Sequence, residues 1–564
     1  MTKNILKNII FILKPEFSFY VTALLYSIGV SLLSLAIPIS VQALVNSVTF
    51  GVLIQPLVVL SLLLLGFLMF SGTLNALQAY IVELFQRYFY ARTSAEITLK
   101  LLGSTQADLE VKNGSKFVNK YFDIMTVQKS VSHLMSGGVS IVLQMLVGLI
   151  LLAFYHPYFL IFDIILLFLL WLSWVGFWKS AIVTAVNESK AKYAVASWLE
   201  EIARLNLFFK SNTRKEFALN KADDFIKMYL SSRKEHFRHT FSQNLILLAI
   251  YSLMSASVLG LGGYLVIKGE LTLGQLVAAE LVVTVILSNL AKSSKYLISF
   301  YDLYAAIDKL TQFYDLPTEK VDHHKHLDLK NENLQSLSFN NVEAVEHNYS
   351  FKFSYSFQKG KSYYIYSRYD SSLNVLVQLL QKVKEPKKGA ISIGEYNFRD
   401  IASLHLRDIV YVIDRVSIME GSLRDNLVLG NKDTSLSKIN DALDAVKLTD
   451  FFDNLPEGLE TQINSSGYPL WSSQLIRLEI ARAILAKPKV IVFTSSFEQI
   501  EKRRRKEIIC YLRNEGVITL FLTQSFSEGL DSDYYIHMHS DKLTEFNLEK
   551  EILESIRVED EQNS

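Results

Sequence analysis

From Phe17 to Val82 the chain carries no Asp, Glu, Lys, Arg or His. At about 20 residues per crossing, this stretch holds two membrane helices joined by a short hairpin near Ser47–Gln55. A second apolar block, Leu134–Trp178, is split by His156-Pro157 into two more spans, and a third, Phe241–Leu290, is split by Lys268-Gly269-Glu270 into a final pair. The segments between the pairs, Glu83–His133 and Lys179–Thr240, are polar but read as helices that continue the spans beyond the bilayer, each residue adding about 1.5 Å. Each contains a polar reversal, Glu110–Gly114 in the first and Lys210–Arg214 in the second. Lys and Arg crowd these segments, among them Arg87, Arg92, Lys116, Lys120 and Lys129 in the first, whereas the three hairpins between spans hold only Lys268. By the positive-inside rule the long segments and both termini are expected on the cytoplasmic side. The tail before the first span carries Lys3, Lys7 and Lys14 and lacks a small-residue cleavage site within range, so an uncleaved first span is expected.

The pattern changes at Lys309–Gln335, which turns to Asp, Lys, His, Asn and Pro and reads as a solvated linker. Its histidines, His323, His324 and His326, stand without Cys or carboxylates at a ligand spacing and read as part of a polar run. From Ser336 short apolar strands alternate with helices, the pattern of an α/β unit. The expected organisation is therefore a six-helix membrane domain over 1–310, a linker over 311–335 and an α/β domain over 336–564. Within the last, Leu470–Phe493 reads LWSSQLIRLEIARAILAKPKVIVF. Ile476, Ile480, Ala483 and Ile484 form a helical stripe with Arg477, Glu479 and Arg482 elsewhere on the wheel. Pro488 stops that helix, and Val490–Phe493 is a continuous apolar run, as expected of a central parallel strand covered on both faces.

Composition agrees: half of the 564 residues are hydrophobic and the mean hydropathy is +0.22, too long for one domain and too apolar for a wholly soluble chain. Lys+Arg 57 against Asp+Glu 56 leaves a net charge of +1, so no global field points to nucleic acid. The single cysteine, Cys510, excludes an intrachain disulfide, a cysteine zinc cluster and a CxxC pair, and reads as a small buried residue of a helix over Arg505–Arg513. Two acidic residues fall inside spans. Glu280 lies near mid-membrane depth and Asp163 nearer the outer interface, and both are candidates to line a translocation cavity, since ionisable groups at depth mark pathways; for Asp163 a group solvated at the interface is the open alternative.

The order LWSSQ, then ARAIL, then P-K-V-I-V-F resembles the signature helix and following strand of ABC-transporter ATPase domains, and the segments Ile409–Ile413, Gly421–Gly430 and Leu455–Glu460 match that family's order and spacing. Six spans with two long helical hairpins resemble the exporter type of ABC membrane domain, whose reversals are coupling helices. The resemblance implies a multi-domain fold, an all-α six-helix transmembrane domain followed by an α/β P-loop-NTPase-like domain of ABC type. It also shows what is missing. The family reads LSGGQ where this chain has Leu470-Trp471-Ser472-Ser473-Gln474, and ends the strand in Asp-Glu where this chain has Thr494-Ser495. The phosphate loop falls on Ser367–Val375, SRYDSSLNV, which has no glycine, Leu373 in place of the lysine and Asn374 in place of the magnesium hydroxyl. Asp370 adds a negative charge beside an anion site, and Ser372 occupies a glycine position. The magnesium-sensing glutamine corresponds to Asp414, the switch histidine to Gln524 and the adenine-stacking aromatic to Glu346.

Scaffold motifs persist while every chemical position is lost, which reads as a pseudo-ATPase with no functional catalytic, cofactor or metal residues. The expected function is a non-catalytic ABC exporter subunit in an export pathway for peptide, protein or lipid, in the cell (inner) membrane, paired with a competent ABC half or placed in a larger assembly. ATP and Mg²⁺ are expected only on a partner subunit, because the family sandwiches each ATP between one subunit's phosphate loop and the other's signature. A membrane scaffold that recruits another secretion machine without transporting is the alternative. An unconventional ATPase has little support. The topology is testable in a Cys510→Ser background: single cysteines at Thr49 and Gly269 are expected to react with membrane-impermeant maleimide from outside and one at Lys116 not to, and the reverse pattern would refute the inside-tail arrangement.

Overall fold

The computed structural model describes residues 2–49, 54–111, 117–319, 329–330, 332–346, 349–414, 416–431, 434–524, 532–539 and 542–563. These form two compact units, Met1–Glu319 and Lys320–Ser564. His323, His324, His326 and Lys116 lie outside the described residues, as does the side chain of Glu346.

The first unit has six helices long and apolar enough to cross a membrane: Lys7–Ser47, Leu57–Leu102, Asn119–Tyr155, Pro157–Arg204, Asn212–Ile267 and Leu273–Tyr314. The breaks fall at the punctuation the sequence carries. His156 leaves the helix as an extended residue, its ring accepts from the Tyr158 N–H at 3.3 Å, and Pro157 opens the fourth crossing. The sixth opens on a capping box, Thr272 with Gln275. The polar extensions are continuous with their spans, the fifth crossing running 56 residues. After the second crossing stops at Leu102, a bridge joins Ser104 to Thr318 and a short helix spans Gln106–Val111, while Lys112–Gly114 of the expected reversal lie outside the described residues. The second reversal differs from expectation: its turn spans Leu205–Ser211, so that Arg214 is already helical.

Backbone satisfaction inside the bundle is explicit at the third crossing, where Leu134–Gly138 forms a π-helical turn. Such a turn displaces carbonyls from their usual partners. Gln78 of the second crossing, itself buried, donates to the Met135 carbonyl at 3.0 Å and to Ser27 Oγ at 2.8 Å, and Ser140 reaches Ser27 at 3.2 Å. Gly137 is required there, because a Cβ would stand 2.0 Å from the Tyr296 hydroxyl of the sixth crossing. At the polar end of the unit, Arg92 holds Glu16, Glu96 and the Ile12 carbonyl together at 2.6–3.0 Å.

The expectation of a solvated segment from Lys309 is corrected at its start. The sixth helix continues to Tyr314, and Lys309 is buried, 3.9 Å from Asp123, bonded to Ser189 and 3.8 Å from the Tyr193 ring centre. A carboxylate, a hydroxyl and an aromatic face together replace the water its ammonium loses.

In the second unit β1 (Ser336–Glu346), β2 (Tyr349–Gln358), β4 (Lys388–Ile393) and β5 (Tyr396–Asn397) make one antiparallel sheet in the order β2-β1-β4-β5. The main sheet runs β12-β11-β3-β10-β9-β6, from β3 (Ser362–Tyr366), β6 (Val410–Ile413), β9 (Val490–Phe493), β10 (Ile518–Thr523), β11 (Tyr534–Met538) and β12 (Leu543–Phe546). It is parallel except for the β12 edge, and β7 (Gly421–Ser422) pairs antiparallel with β8 (Gln462–Ile463) as a separate ribbon. Strands β3, β9 and β10 are buried throughout, the covered centre that an unbroken apolar run requires.

Two expectations fail in this unit. The helix Ser472–Ala486 is not amphipathic in effect, because Arg477, Glu479 and Arg482 are buried with the apolar stripe. Arg482 pairs with Glu479 at 2.9 Å and donates to the carbonyls of Asn426 and Ser417 at 2.6 and 2.7 Å, while Glu479 accepts from Tyr411 at 2.9 Å. Cys510 is exposed, because Ile508, Ile509 and Leu512 take the inward face of the helix Lys502–Asn514. The Arg482 network gives a test. Arg482→Met leaves Glu479 buried and unpaired and is expected to cost about 3–5 kcal/mol, lowering the melting temperature of the detergent-solubilised chain, whereas adding Glu479→Leu is expected to recover most of it. Equal melting of both single and double variants would show the pair to be uncoupled.

Candidate nucleotide site

Strand β3 feeds into the helix Asp370–Leu380 through only three residues, Ser367, Arg368 and Tyr369. A loop that wraps a phosphate presents several successive backbone N–H groups from a wide, glycine-rich turn. Here the helix starts at Asp370, with its carboxylate in the first turn, where it complements the helix's positive end. The short turn is closed by side chains. The buried hydroxyls of Ser367 and Ser372 lie 2.6 Å apart, with the Met538 carbonyl 3.1 Å from the first and the Tyr369 carbonyl 2.6 Å from the second.

Leu373, expected at the lysine position, is 7% exposed and belongs to the core formed by Val375, Leu376, Ile391 and Leu520. Asn374, expected at the position of the metal-binding hydroxyl, is exposed. The helix turns the first toward the sheet and the second toward solvent, since adjacent residues on a helix do not share a face.

At the strand ends, β6 and β9 are neighbours, and this brings Thr494 to Asp414: the Thr494 hydroxyl is 3.2 Å from the Asp414 carbonyl and its N–H donates to the Ile413 carbonyl at 3.2 Å. Ser495, expected at the position of the catalytic glutamate, is exposed, and Gln524, just past β10, is exposed as well. Beside them Thr523 donates to Glu498 at 2.7 Å. The structure therefore gathers Asp414, Thr494 and Ser495 at one sheet end. It also supplies a contact, Ser367 with Ser372, that no pattern in the sequence announced.

In the signature segment, Leu470 is buried while Trp471 is 77% exposed, immediately before the helix. Gln474 accepts from the Trp471 N–H at 2.8 Å, capping that helix, and Ser472 and Ser473 occupy its first turn. Arg477, on the same helix, donates to the Lys447 carbonyl at 2.8 Å; burial, with the Arg504 charge second, pulls its guanidinium down to about 10.

In the membrane unit, Asp163 is buried and neither carboxyl oxygen has a hydrogen-bond partner among the described residues; Glu280 is half-buried with Oε2 likewise unpartnered. A Cβ on Gly262 would meet Leu276 and Phe159, so crossings four, five and six meet there, and Asp163 and Glu280 each stand one turn further along from Phe159 and Leu276. Neither lines the large apolar groove of this unit.

No protein-family model matches the chain. It is 23% identical over 375 residues to the lactococcin-A transport/processing ATP-binding protein LcnC of Lactococcus lactis subsp. lactis, a match over 65% of this chain and 49% of that protein. It is 22% identical over 544 residues to a multidrug resistance ABC transporter ATP-binding and permease protein of Lactococcus lactis subsp. cremoris, over 94% of this chain and 90% of the relative. The chain thus spans about half the length of the first of these relatives and nearly all of the second. In fold it is similar to the structure of a bacterial Atm1-family ABC exporter, with a TM-score of 0.79, 16% identity and 96% of each chain covered. The chain shares the fold of that exporter: six helices long and apolar enough to cross a membrane, followed by an α/β unit.

The position of Leu373 makes a restoring substitution costly. Leu373→Lys places an ammonium in the β3 core, where desolvation opposes it by several kcal/mol. The variant is expected to melt lower than the parent and to gain no ATPase activity. Wild-type melting together with turnover above background would mean that the helix start and the strand-end assignments are wrong.

Proposed function

We propose that this chain is the non-catalytic subunit of an ABC export pathway, a pseudo-ATPase half that pairs with a competent ABC half or occupies a structural place beside complete ATPase dimers. The observation that carries the reading is the inward Leu373 on a helix that begins at Asp370, with the preceding turn filled by the Ser367 and Ser372 hydroxyls. A triphosphate at this position would find no lysine, no metal-binding hydroxyl and a carboxylate at the helix start. Thr494 and Ser495 supply neither the metal-positioning carboxylate nor a general base. The persistence of the Glu479–Arg482 network and the covered parallel sheet supports a retained structural role rather than decay. The relatives, named for lactococcin-A transport and multidrug resistance, support export as the process; a peptide, protein or lipid substrate is part of the proposal, and the charge pattern supports cytoplasmic termini in the cell (inner) membrane.

Titration of the purified full chain with ATP–Mg²⁺ at millimolar concentration is expected to give no binding heat, and micromolar affinity would overturn the reading. In a complex purified from native membranes, ATPase activity is expected to disappear when the partner's phosphate-loop lysine is replaced and to survive Ser472→Ala or Ser473→Ala in this chain. A homodimer with robust turnover and no other ATPase present would sink the proposal.

A further inference from the structure

A groove of about 660 Å³ runs between crossings three, four, five and six of the membrane unit, within the range of small-molecule sites. Its wall is almost wholly hydrocarbon, from Met145 and Leu149 of the third crossing, Leu170 of the fourth and Leu247 of the fifth, and its mouth is formed by Val142, Leu146 and Leu167, all exposed. Along the third crossing it extends from Leu134 to Leu149, 15 residues or about 22 Å of a hydrocarbon core of about 30 Å. One end abuts the π-helical turn, where Gly138 and the Tyr296 ring form the wall. π turns recur at functional sites because they open a helix face that a regular turn would fill.

Polar groups in this wall are few and are placed at that same end. Ser173 is 5% exposed, lines the groove, and its hydroxyl makes no hydrogen bond among the described residues. That is unusual in this bundle, where Ser136, Ser140 and Ser293 each return their hydroxyl to a carbonyl of their own helix at 2.6–2.9 Å. A buried hydroxyl without a partner is destabilising unless something else satisfies it. Gln243, also in the wall, has its carbonyl committed to the Tyr301 hydroxyl at 3.0 Å, which leaves its amide N–H groups as donors.

Depth selects the ligand. Counted from Pro157, Ser173 lies 16 residues along the fourth crossing, about 24 Å, or about 6 Å short of the far edge of the hydrocarbon core. Trp174 and Trp178 follow, with rings 6.3 Å apart, and Lys179 is the first charge. Tryptophans before a first lysine mark the membrane–water interface, the level at which the ester carbonyls of glycerolipids sit.

We propose that this groove holds one acyl chain of an ester-linked glycerolipid, from the leaflet farther from the His156 turn, with Ser173 donating to the ester carbonyl and the chain lying along Met145, Leu149 and Leu170. A nearly all-carbon wall of about 22 Å and a donor about 6 Å inside the interface fit such a chain. A peptide would bring many backbone polar groups to a wall that answers two. The proposal stands on the membrane unit alone and holds whether or not the second unit binds nucleotide.

The test uses the full chain in nanodiscs with a trace of phosphatidylcholine carrying a diazirine in its acyl chain, the cross-links mapped by mass spectrometry. Labelling is expected to concentrate on Val142–Leu149 and Leu167–Trp174 over the outward face at Ile161–Ile165, to be abolished by Leu170→Trp and to be unaffected by Ile161→Trp. In competition with unlabelled lipid, the wild type is expected to prefer the ester-linked over the ether-linked form, and Ser173→Ala, which is nearly isosteric and keeps the fold, to remove about 2- to 10-fold of ester binding while leaving the ether unchanged. Uniform labelling of groove and outward faces, equal competition by ester and ether in the wild type, or co-purification of a non-lipid apolar molecule in the groove would each overturn the proposal.

Discussion

Backbone hydrogen bonding without water is the constraint on which the first unit depends. In a hydrocarbon layer every N–H and C=O must be satisfied within the protein, so each apolar block becomes a helix and each break falls where polar atoms are at hand. His156 and Thr272 supply those atoms at two hairpin ends. The first crossing breaks at Ser34–Leu35 and the third takes a π-helical turn at Leu134–Gly138, where Gln78 stands opposite to take the Met135 carbonyl. Once that turn exists, the Tyr296 ring can lie against Gly137, and the groove beside it follows from the same geometry.

The second unit obeys a different rule, burial of the sheet on both faces. The central strands are sealed by helices, and one of these, Ser472–Ala486, is itself sealed, so its charged residues had to find partners inside. Arg482 binds Glu479 and two carbonyls, tying that helix to the segment between Ser417 and Asn426. Such a network is expensive to disrupt and neutral to chemistry. Beside this frame, Leu373 gains burial from a core in which a lysine would lose its hydration.

Much of the architecture was legible in local composition. Six spans, their breaks at His156-Pro157 and Lys268-Gly269-Glu270, and the buried run Val490–Phe493 are properties of consecutive residues, because hydropathy and helix-breaking act over a few positions at a time. Which side chains stand at Leu373, Asn374, Thr494 and Ser495 is likewise a local property, and the proposed loss of nucleotide chemistry rests on it.

What only the tertiary structure decided depends on pairings distant in sequence. Leu373 faces inward because the helix begins at Asp370 against β3 and β11, and Cys510 faces outward because Ile508, Ile509 and Leu512 claim the core side. Arg477, Glu479 and Arg482 read as a polar side of a helix until Tyr411, Asn426 and Lys447 close over them. Lys309 reads as the start of a solvated run until Asp123, Ser189 and Tyr193 surround it. Whether a charge is solvated or enclosed is set by which distant residues arrive beside it, and periodicity along one helix carries no record of that.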